Sequence, residues 1–134
     1  MELRREEVIQ NIVNAVKDIA STYEWRVTPP EISELPLIIV RDTEDNINSE
    51  KISYSSEHEL KIEIEYIEAG KELTVSELRE KLNEILQKIG ENEAQISDYL
   101  ALESVEIDLE QKEFIIGRGM IELKATYYTE KWGI

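Results

Sequence analysis

In residues 57–70, EHELKIEIEYIEAG, charged and apolar side chains alternate strictly from Glu59 to Tyr66. One face of this stretch is apolar and the other is charged, the two sets being Leu60, Ile62, Ile64 and Tyr66 against Glu59, Lys61, Glu63 and Glu65. This two-residue period is that of a β-strand with one buried face and one face in water. The stretch therefore predicts a half-buried strand that ends at Gly70, and a sheet built around it.

Further strands are predicted on either side of this one. Residues 37–40, which follow Pro36, are all apolar and predict a short strand covered on both faces. Val105, Ile107 and Leu109 alternate with acids, and after the turn EQKE the residues 114–128 return as the last strand. Gly117 and Gly119 in the sequence GRG are interpreted as marking a bulge or bend in that strand.

The stretch between the first two strands, residues 42–56, is polar and alternates only weakly. It is interpreted as a long hairpin loop, with at most a poorly ordered strand around residues 52–54. Its charged, asparagine-rich and serine-rich composition predicts that it is mobile in an isolated subunit and becomes ordered on assembly. The acidic sequence DTEDN at its start fails the calcium-loop pattern, because Ile47 stands where a glycine is needed and Ser53 where the bidentate glutamate is needed.

Two amphipathic helices are expected, and apolar residues recur in both at steps of three and four. The first covers about residues 3–23, with Ile12 in the middle of its buried stripe. The second begins at a capping box formed by Thr74 and Glu77 and ends at Gly90, placed for a left-handed cap. Leu86 is expected in the core. Residues 96–102 are expected to add a helical turn or two.

The resulting order, α-β-β-α-β-β, predicts an α+β fold. We expect a mainly antiparallel four-stranded sheet with two helices packed on one face. The 134 residues suit one domain, residues 1–134, and no internal repeat or linker divides them.

Composition excludes several classes of function. Thirty acids against fifteen bases give a net charge of −15, which repels phosphate backbones and disfavours sequence-specific nucleic-acid binding. The absence of cysteine excludes thiolate chemistry and fits the cytosol. No apolar run approaches the ~20 residues needed to cross a bilayer, so no membrane association is expected, and the N-terminus shows no secretion signal.

No catalytic, cofactor or metal site is predicted. The single histidine, His58, could act as a general base, but catalysis needs a second positioned group and no serine or cysteine nucleophile signature is present. We therefore expect His58 to be an ordinary residue at the end of a strand. The many carboxylates give no specific acid pair, because none lies in an apolar setting that would raise a pKa.

Acids accumulate on the outward faces of two predicted strands, where Glu63 and Glu65 belong to one strand and Glu106 and Asp108 to the other. Like charges across a sheet destabilise it. A water-facing surface with screened charges is one interpretation. The other is that an acidic surface is required, either to let DNA slide past without adhering or to imitate DNA.

The order of these segments resembles a known family. A long N-terminal helix, prolines before LPLIIV, a flexible loop, HELKIEIEY, the capped helix beginning TVSEL and the closing MIELKATYY are together similar to the tail terminator proteins of long-tailed phages, of the lambda minor tail protein type. The resemblance covers nearly the whole chain and is one of pattern. The segment between Gly90 and Val105 is longer than the family pattern.

The resemblance implies a structural virion protein of a phage or prophage, assembled in the bacterial cytoplasm and located in the tail. Such proteins form a ring, usually a hexamer, that ends the tail tube and offers a surface for joining the head. The implied partners are further copies of the chain, the tail tube protein and a head-completion protein. Candidate interface residues are Asp42, Glu44, Asp45, Tyr128 and Trp132, and candidate acids of the DNA path are Glu63, Glu65, Glu106 and Asp108.

Two alternatives remain open at this point. An acidic DNA mimic would bind a basic host protein and would stay monomeric or dimeric. A small enzyme is the third possibility. The C-terminal aromatic residues fit either an interface or the chain's own core, and Tyr127 is expected to belong to the core.

Overall fold

Backbone pairing in the computed structural model, which describes residues 3–48 and 55–134, confirms an α+β fold. The described helices are α1 Arg4–Val16, α2 Val75–Glu91 and α3 Glu93–Ile96, with a 3-10 turn at Ile32–Glu34. The strands are β1 Ser21–Glu24, β2 Leu37–Asn48, β3 Ser55–Gly70, β4 Tyr99–Gln111 and β5 Ile115–Glu130. They form one sheet in the order β1-β2-β3-β5-β4. Its β1–β2 pair is parallel and the other pairs are antiparallel. The sheet is therefore mainly antiparallel as predicted, but it has five strands rather than four and is mixed because of its one parallel pair.

The alternating stretch becomes the central strand β3, paired with β5 along its whole length. Its apolar residues are buried on the helix side of the sheet, next to the buried residues of β5, Ile121, Leu123, Ala125 and Tyr127. Gly117 and Gly119 do not interrupt this ladder, so the predicted bulge is absent there. They make room for α2 instead, because a Cβ at Gly119 would collide with Leu82.

The two long helices pack on this face through apolar stripes. The buried residues are Val8, Ile9, Ile12 and Val16 of α1 and Leu78, Leu82, Ile85 and Ile89 of α2. Ile12 is in the core as predicted, but Leu86 is only partly buried at its border. The Thr74 hydroxyl accepts a hydrogen bond from the Glu77 N–H at 3.2 Å and begins α2 as expected. The helix then continues through Gly90, and Asn92 caps it by donating to the Lys88 carbonyl at 2.8 Å.

The first helix is shorter than predicted. It ends at Val16, and residues 21–24 form β1 parallel to Leu37–Val40. The apolar period continues past Val16, and for this reason the sequence favours a longer helix. Tertiary pairing overrides that preference, because a continued helix would leave the backbone of residues 37–40 without a partner on this side.

The interpretation of residues 42–56 as a loop is wrong for its described part. Residues 42–48 belong to β2 and residues 55–56 to β3, while the strand considered at 52–54 lies outside the described residues. Residues 96–102 are likewise not helical beyond Ile96, since β4 begins at Tyr99. Strand β2 contains a bulge at Thr43, between Asp42 and Glu44, and strand β4 contains one at Glu103, between Leu102 and Ser104. A bulge reverses the apparent face of every later residue, so simple alternation is hidden in the sequence.

Replacing Ile12 by alanine should lower the free energy of unfolding by about 2–5 kcal/mol, because a fully buried side chain leaves a cavity. Leu86→Ala should cost only about 1 kcal/mol, since that side chain is partly exposed. Urea denaturation of both variants measures the difference. Equal losses would show that Leu86 belongs to the buried stripe after all.

Candidate functional site

One edge of the sheet is the long strand β4, which pairs with β5 and, within residues 3–48 and 55–134, with no other strand. Four of its apolar residues point to the helix side but lie at the rim of the helix layer. They are 37% to 53% exposed and comprise Leu102, Val105, Ile107 and Leu109. A long edge strand with exposed apolar side chains attracts another strand. This edge is the first candidate contact surface.

The opposite edge of the sheet is also incomplete. Strand β1 covers β2 only along residues 37–40. Residues 41–47 of β2 pair with β3 on one side, and no described strand pairs with them on the other. The backbone groups on that side are available to a partner.

A groove of about 520 Å³ lies on the helix side beside this second edge. Its apolar walls are Leu3 and Ile9 of the N-terminal region, Trp25 and the C-terminal Ile134, and Asp42 and Arg5 also line it. Trp25 is 50% exposed and has a φ of 48°. Such a left-handed backbone is unfavourable for a residue with a bulky side chain. Local contacts must therefore hold Trp25 in place.

Asp42 supplies that hold. Its Oδ1 accepts a hydrogen bond from the Trp25 indole Nε1 at 2.6 Å, and its Oδ2 accepts one from Arg5 Nε at 2.5 Å. The Trp25 backbone N–H also donates to the Val40 carbonyl at 3.1 Å. Asp42 thus fixes α1 and the segment after β1 against the open edge of β2.

Next to Asp42, a polar cluster is buried inside the sheet. His58 has no exposed surface, and its Nδ1 lies 2.8 Å from Asp45 Oδ2 while its Nε2 lies 2.8 Å from Thr129 Oγ1. Its ring stacks on Tyr127 with ring centres 4.6 Å apart. The expectation that His58 is an ordinary end-of-strand residue is wrong, because it joins β2, β3 and β5.

Tyr127 completes the cluster by donating its hydroxyl to Asp45 Oδ2 at 3.3 Å. Burial, and then the negative charge of Asp45, raise the pKa of Tyr127 above its usual range. The phenol therefore stays protonated and acts as a donor at neutral pH. Arg5 Nη1 lies 3.8 Å from the same carboxylate oxygen, while the second oxygen of Asp45 is buried with no partner among the described residues.

The order Asp45, His58, Thr129 is the hydrogen-bonded order of an acid–histidine–hydroxyl triad. A general base must also reach a substrate. His58 is fully enclosed, and the groove beside the cluster is lined by neither His58 nor Thr129. The Thr129 hydroxyl also has the Glu130 carbonyl within 2.9 Å. This geometry suits a brace between three strands better than a reaction centre.

Of the three acids predicted at an interface in this region, only Glu44 is exposed, and its carboxylate lies 4.0 Å from Lys61 Nζ. The side chains of Asp42 and Asp45 are 20% and 6% exposed and are engaged within the chain. Tyr127 is buried as expected, whereas Tyr128 and Trp132 are 47% and 93% exposed. Trp132 lies in the turn after β5, in a left-handed conformation with a φ of 73°.

The four acids predicted to line a DNA path share the helix-free face of the sheet. Met120 of β5 pairs with Glu65 on one side and Glu106 on the other, and the neighbouring positions bring in Glu63 and Asp108. Glu65 is neutralised, because Arg41 lies 2.9 Å and Arg118 3.9 Å from its carboxylate. The other three form no ion pair with a described residue. Cations are interspersed on this face: Arg41, Lys61, Arg118 and Lys124.

Sequence reasoning missed Arg5, Trp25 and Thr129 as members of the polar cluster and its surroundings. No local signal points to them, because the contacts span up to 71 positions along the chain. His58 did have a signal, since it lies two residues before Leu60 on the apolar face of the alternation. Among the described residues, no group of three or more acidic or histidine side chains is placed to hold a metal, and no helix is long and apolar enough to cross a membrane.

Comparison with known proteins provides no family for this chain. No protein-family model matches it, and no curated protein matches it significantly. The two open edges, the polar cluster and the acidic face must therefore carry the functional argument.

The brace formed by His58 can be tested by replacing it with phenylalanine, which keeps the stacking on Tyr127 but removes both ring nitrogens. Asp45 then stays buried without its main partner, and unfolding should become easier by about 3–5 kcal/mol. Thr129→Val, which removes only the partner of Nε2, should cost about 1 kcal/mol. Chemical denaturation of each variant gives these values.

A second variant makes this test independent of packing. Adding Asp45→Asn to His58→Phe should recover part of the loss, because no buried carboxylate is then left unpaired. Additive losses would contradict the coupling of Asp45 with His58.

Proposed function

We propose that this chain is a structural protein of virion assembly, similar in role to phage tail terminators. In this role several copies, six by the resemblance, form a ring on the end of a tail tube. The ring stops tube growth and offers a surface to a head-completion protein. The observation that carries the proposal is that the two edges of one sheet are both open and are unlike each other.

Unlike edges favour a ring for a reason of symmetry. Two identical surfaces pair with each other and give a closed dimer, whereas two different surfaces meet head-to-tail. Here β4 presents a long strand with an apolar row, and β2 presents a shorter open stretch beside a groove. Repetition of such a contact closes into a ring when the rotation per copy is a whole fraction of a turn.

The acidic face agrees with a ring around a DNA path. Glu63, Glu106 and Asp108 lie on the helix-free face and form no ion pair within 4 Å of a described cation, with Arg41 opposite Glu63 and Arg118 opposite Asp108. Negative walls repel phosphates and prevent adhesion. Tyr128 and Trp132, exposed near the end of β5, are then available to the tail tube protein or a head-completion protein, as aromatic anchors at interfaces often are.

A DNA mimic is the second candidate, and the same three acids favour it. Four cations interrupt the acidic face, so it presents a less continuous negative charge than a mimic requires. A mimic binds its partner through its acidic face, and such binding does not require two open sheet edges.

Native mass spectrometry across a range of protein concentrations separates the two candidates. The proposed function predicts a single oligomer with six times the subunit mass, whose abundance increases with protein concentration. It predicts no series of oligomers of steadily increasing size. A protein that stays monomeric or dimeric at every concentration, and binds a basic protein with strong salt dependence, would favour the mimic.

Changing Glu63, Glu106 and Asp108 together to lysine tests the DNA path. Glu65 is left unchanged because its removal would leave Arg41 and Arg118 without their carboxylate. Folding and ring formation should persist, since exposed surface charges contribute little to stability. The variant should gain affinity for duplex DNA, with a salt dependence that steepens by about 0.9 per phosphate contacted.

The control changes Glu72, Glu80 and Glu93 to lysine, which adds the same charge at exposed positions on or next to α2 that form no ion pair with a described residue. Equal DNA binding by both variants would mean that net charge alone is responsible and would count against a DNA path on the sheet. Loss of ring formation in the first variant alone would show that the three acids are required for assembly and would count against a role confined to the DNA path.

A further inference from the structure

We infer that the ring is held by a continuous sheet, in which β4 of one copy pairs with the open edge of β2, residues 41–47, in the next copy. This inference rests on the proposed function, because it needs a head-to-tail assembly. It adds the identity of the two contacting segments, their direction and the place where the apolar side chains are buried.

The backbone supplies the first argument. Strand β4 has thirteen residues with β5 on one side only, and β2 has an open stretch of residues 41–47. At about 3.3 Å per residue, the open stretch of β2 is about 23 Å long, which β4 can cover fully. Strand addition to an open edge satisfies the hydrogen-bonding groups of both partners.

The groove supplies the second argument. In a continuous sheet, side chains that point to the helix side of β4 stay on the helix side of the neighbouring copy. Beside β2 that position lies over the groove lined by Ile9, Trp25 and Asp42. Val105 and Ile107, 41% and 38% exposed in the single chain, can therefore be buried against Trp25 and Ile9.

Charge selects β2 over a second β4 as the partner. The outward row of β4 contains Glu106, Asp108 and Glu110, so pairing two β4 strands would bring acids opposite acids and destabilise the contact. The outward row of the open stretch of β2 contains Arg41, Glu44 and Asn46, and Lys61 of β3 lies 4.0 Å from the carboxylate of Glu44. With one acid that has a cation beside it, this row repels the outward acids of β4 less than the three acids of a second β4 would.

The direction of pairing follows from the sheet. Three successive antiparallel pairs connect β2 to β4, so the two strands run in opposite directions within one copy. Rotation of a copy about an axis parallel to the strands does not change the direction of its strands. In a ring built by such rotations, β4 of one copy therefore runs antiparallel to β2 of the next copy.

Cysteine cross-linking tests this pairing cleanly, because the chain contains no cysteine. Four single variants are made, Glu44→Cys and Asn46→Cys on the outward side of β2, and Glu106→Cys and Asp108→Cys on that of β4. Each β2 variant is mixed with each β4 variant under mild oxidation, and covalent dimers are measured. In an antiparallel register that places Asn46 opposite Glu106, Glu44 lies opposite Asp108. The mixtures Asn46→Cys with Glu106→Cys and Glu44→Cys with Asp108→Cys should then give covalent dimers. The other two mixtures should give few.

A charge variant tests the apolar contact. Ile107→Glu would place a carboxylate in the groove, which is also lined by the acids Glu6, Glu24 and Asp42, and should raise the dissociation constant of the assembly at least tenfold. The control is Ile32→Glu in the 3-10 turn Ile32–Glu34, outside both β4 and the open stretch of β2, with a similar exposure of 47% against 38%. Thermal unfolding of the two variants checks that both remain folded.

The outcomes separate the two proposals. Covalent dimers that form only on mixing, together with dissociation by Ile107→Glu and not by Ile32→Glu, support the pairing. Cross-linking of Glu106→Cys with itself would overturn it in favour of paired β4 strands. Rings without any cross-link between β2 and β4 would overturn this inference while the proposed function stands, and a monomer at every concentration would overturn both.

Discussion

The ladder between β3 and β5 is the interaction on which the rest of the structure depends. It joins residues 55–70 to residues 115–130 without a break, and every buried side chain of the sheet centre is aligned by it. Both helices pack against its apolar face, and Gly117 and Gly119 let α2 approach closely. Because two helices cover only the middle of a five-stranded sheet, the outer strands are left with side chains and backbone groups that the chain itself does not satisfy.

The parts of the fold that sequence predicts are those where local pattern and tertiary environment agree. β3, β5 and α2 repeat their apolar residues at the correct period, so their existence and buried faces follow from the sequence. β1 and the second half of β2 have no such signal. Residues 21–24 form a strand only because Leu37–Val40 offers an edge, and residues 42–46 are all polar because no described strand covers their second edge. The bulge at Thr43 then conceals which of these polar residues point inward.

The candidate site was predictable only in part. The outward position of Glu63, Glu65, Glu106 and Asp108 follows from alternation, but their cations do not, since Arg41 and Arg118 come from two other strands. His58 lies two residues before Leu60, so the alternation indicated an inward side chain. Its contact with Asp45 could not be predicted, because it depends on a bulge that turns Asp45 to the same side. Composition cannot reveal a buried polar brace, because each member is an ordinary surface residue in isolation.

The two bulges have a geometric meaning beyond their local effect. Thr43 and Glu103 lie on opposite sides of one row of the sheet, the row of Ile62 and Leu123, and each lies in a strand that the proposed ring would join to its neighbour. Bulges bend their strand and increase its twist, so this pair sets the angle at which one edge of a subunit is inclined to the other. A six-membered ring needs a turn of about 60° at each contact. The number of copies in the ring would then be set by the backbone curvature at Thr43 and Glu103. It would not depend on how tightly the subunits bind.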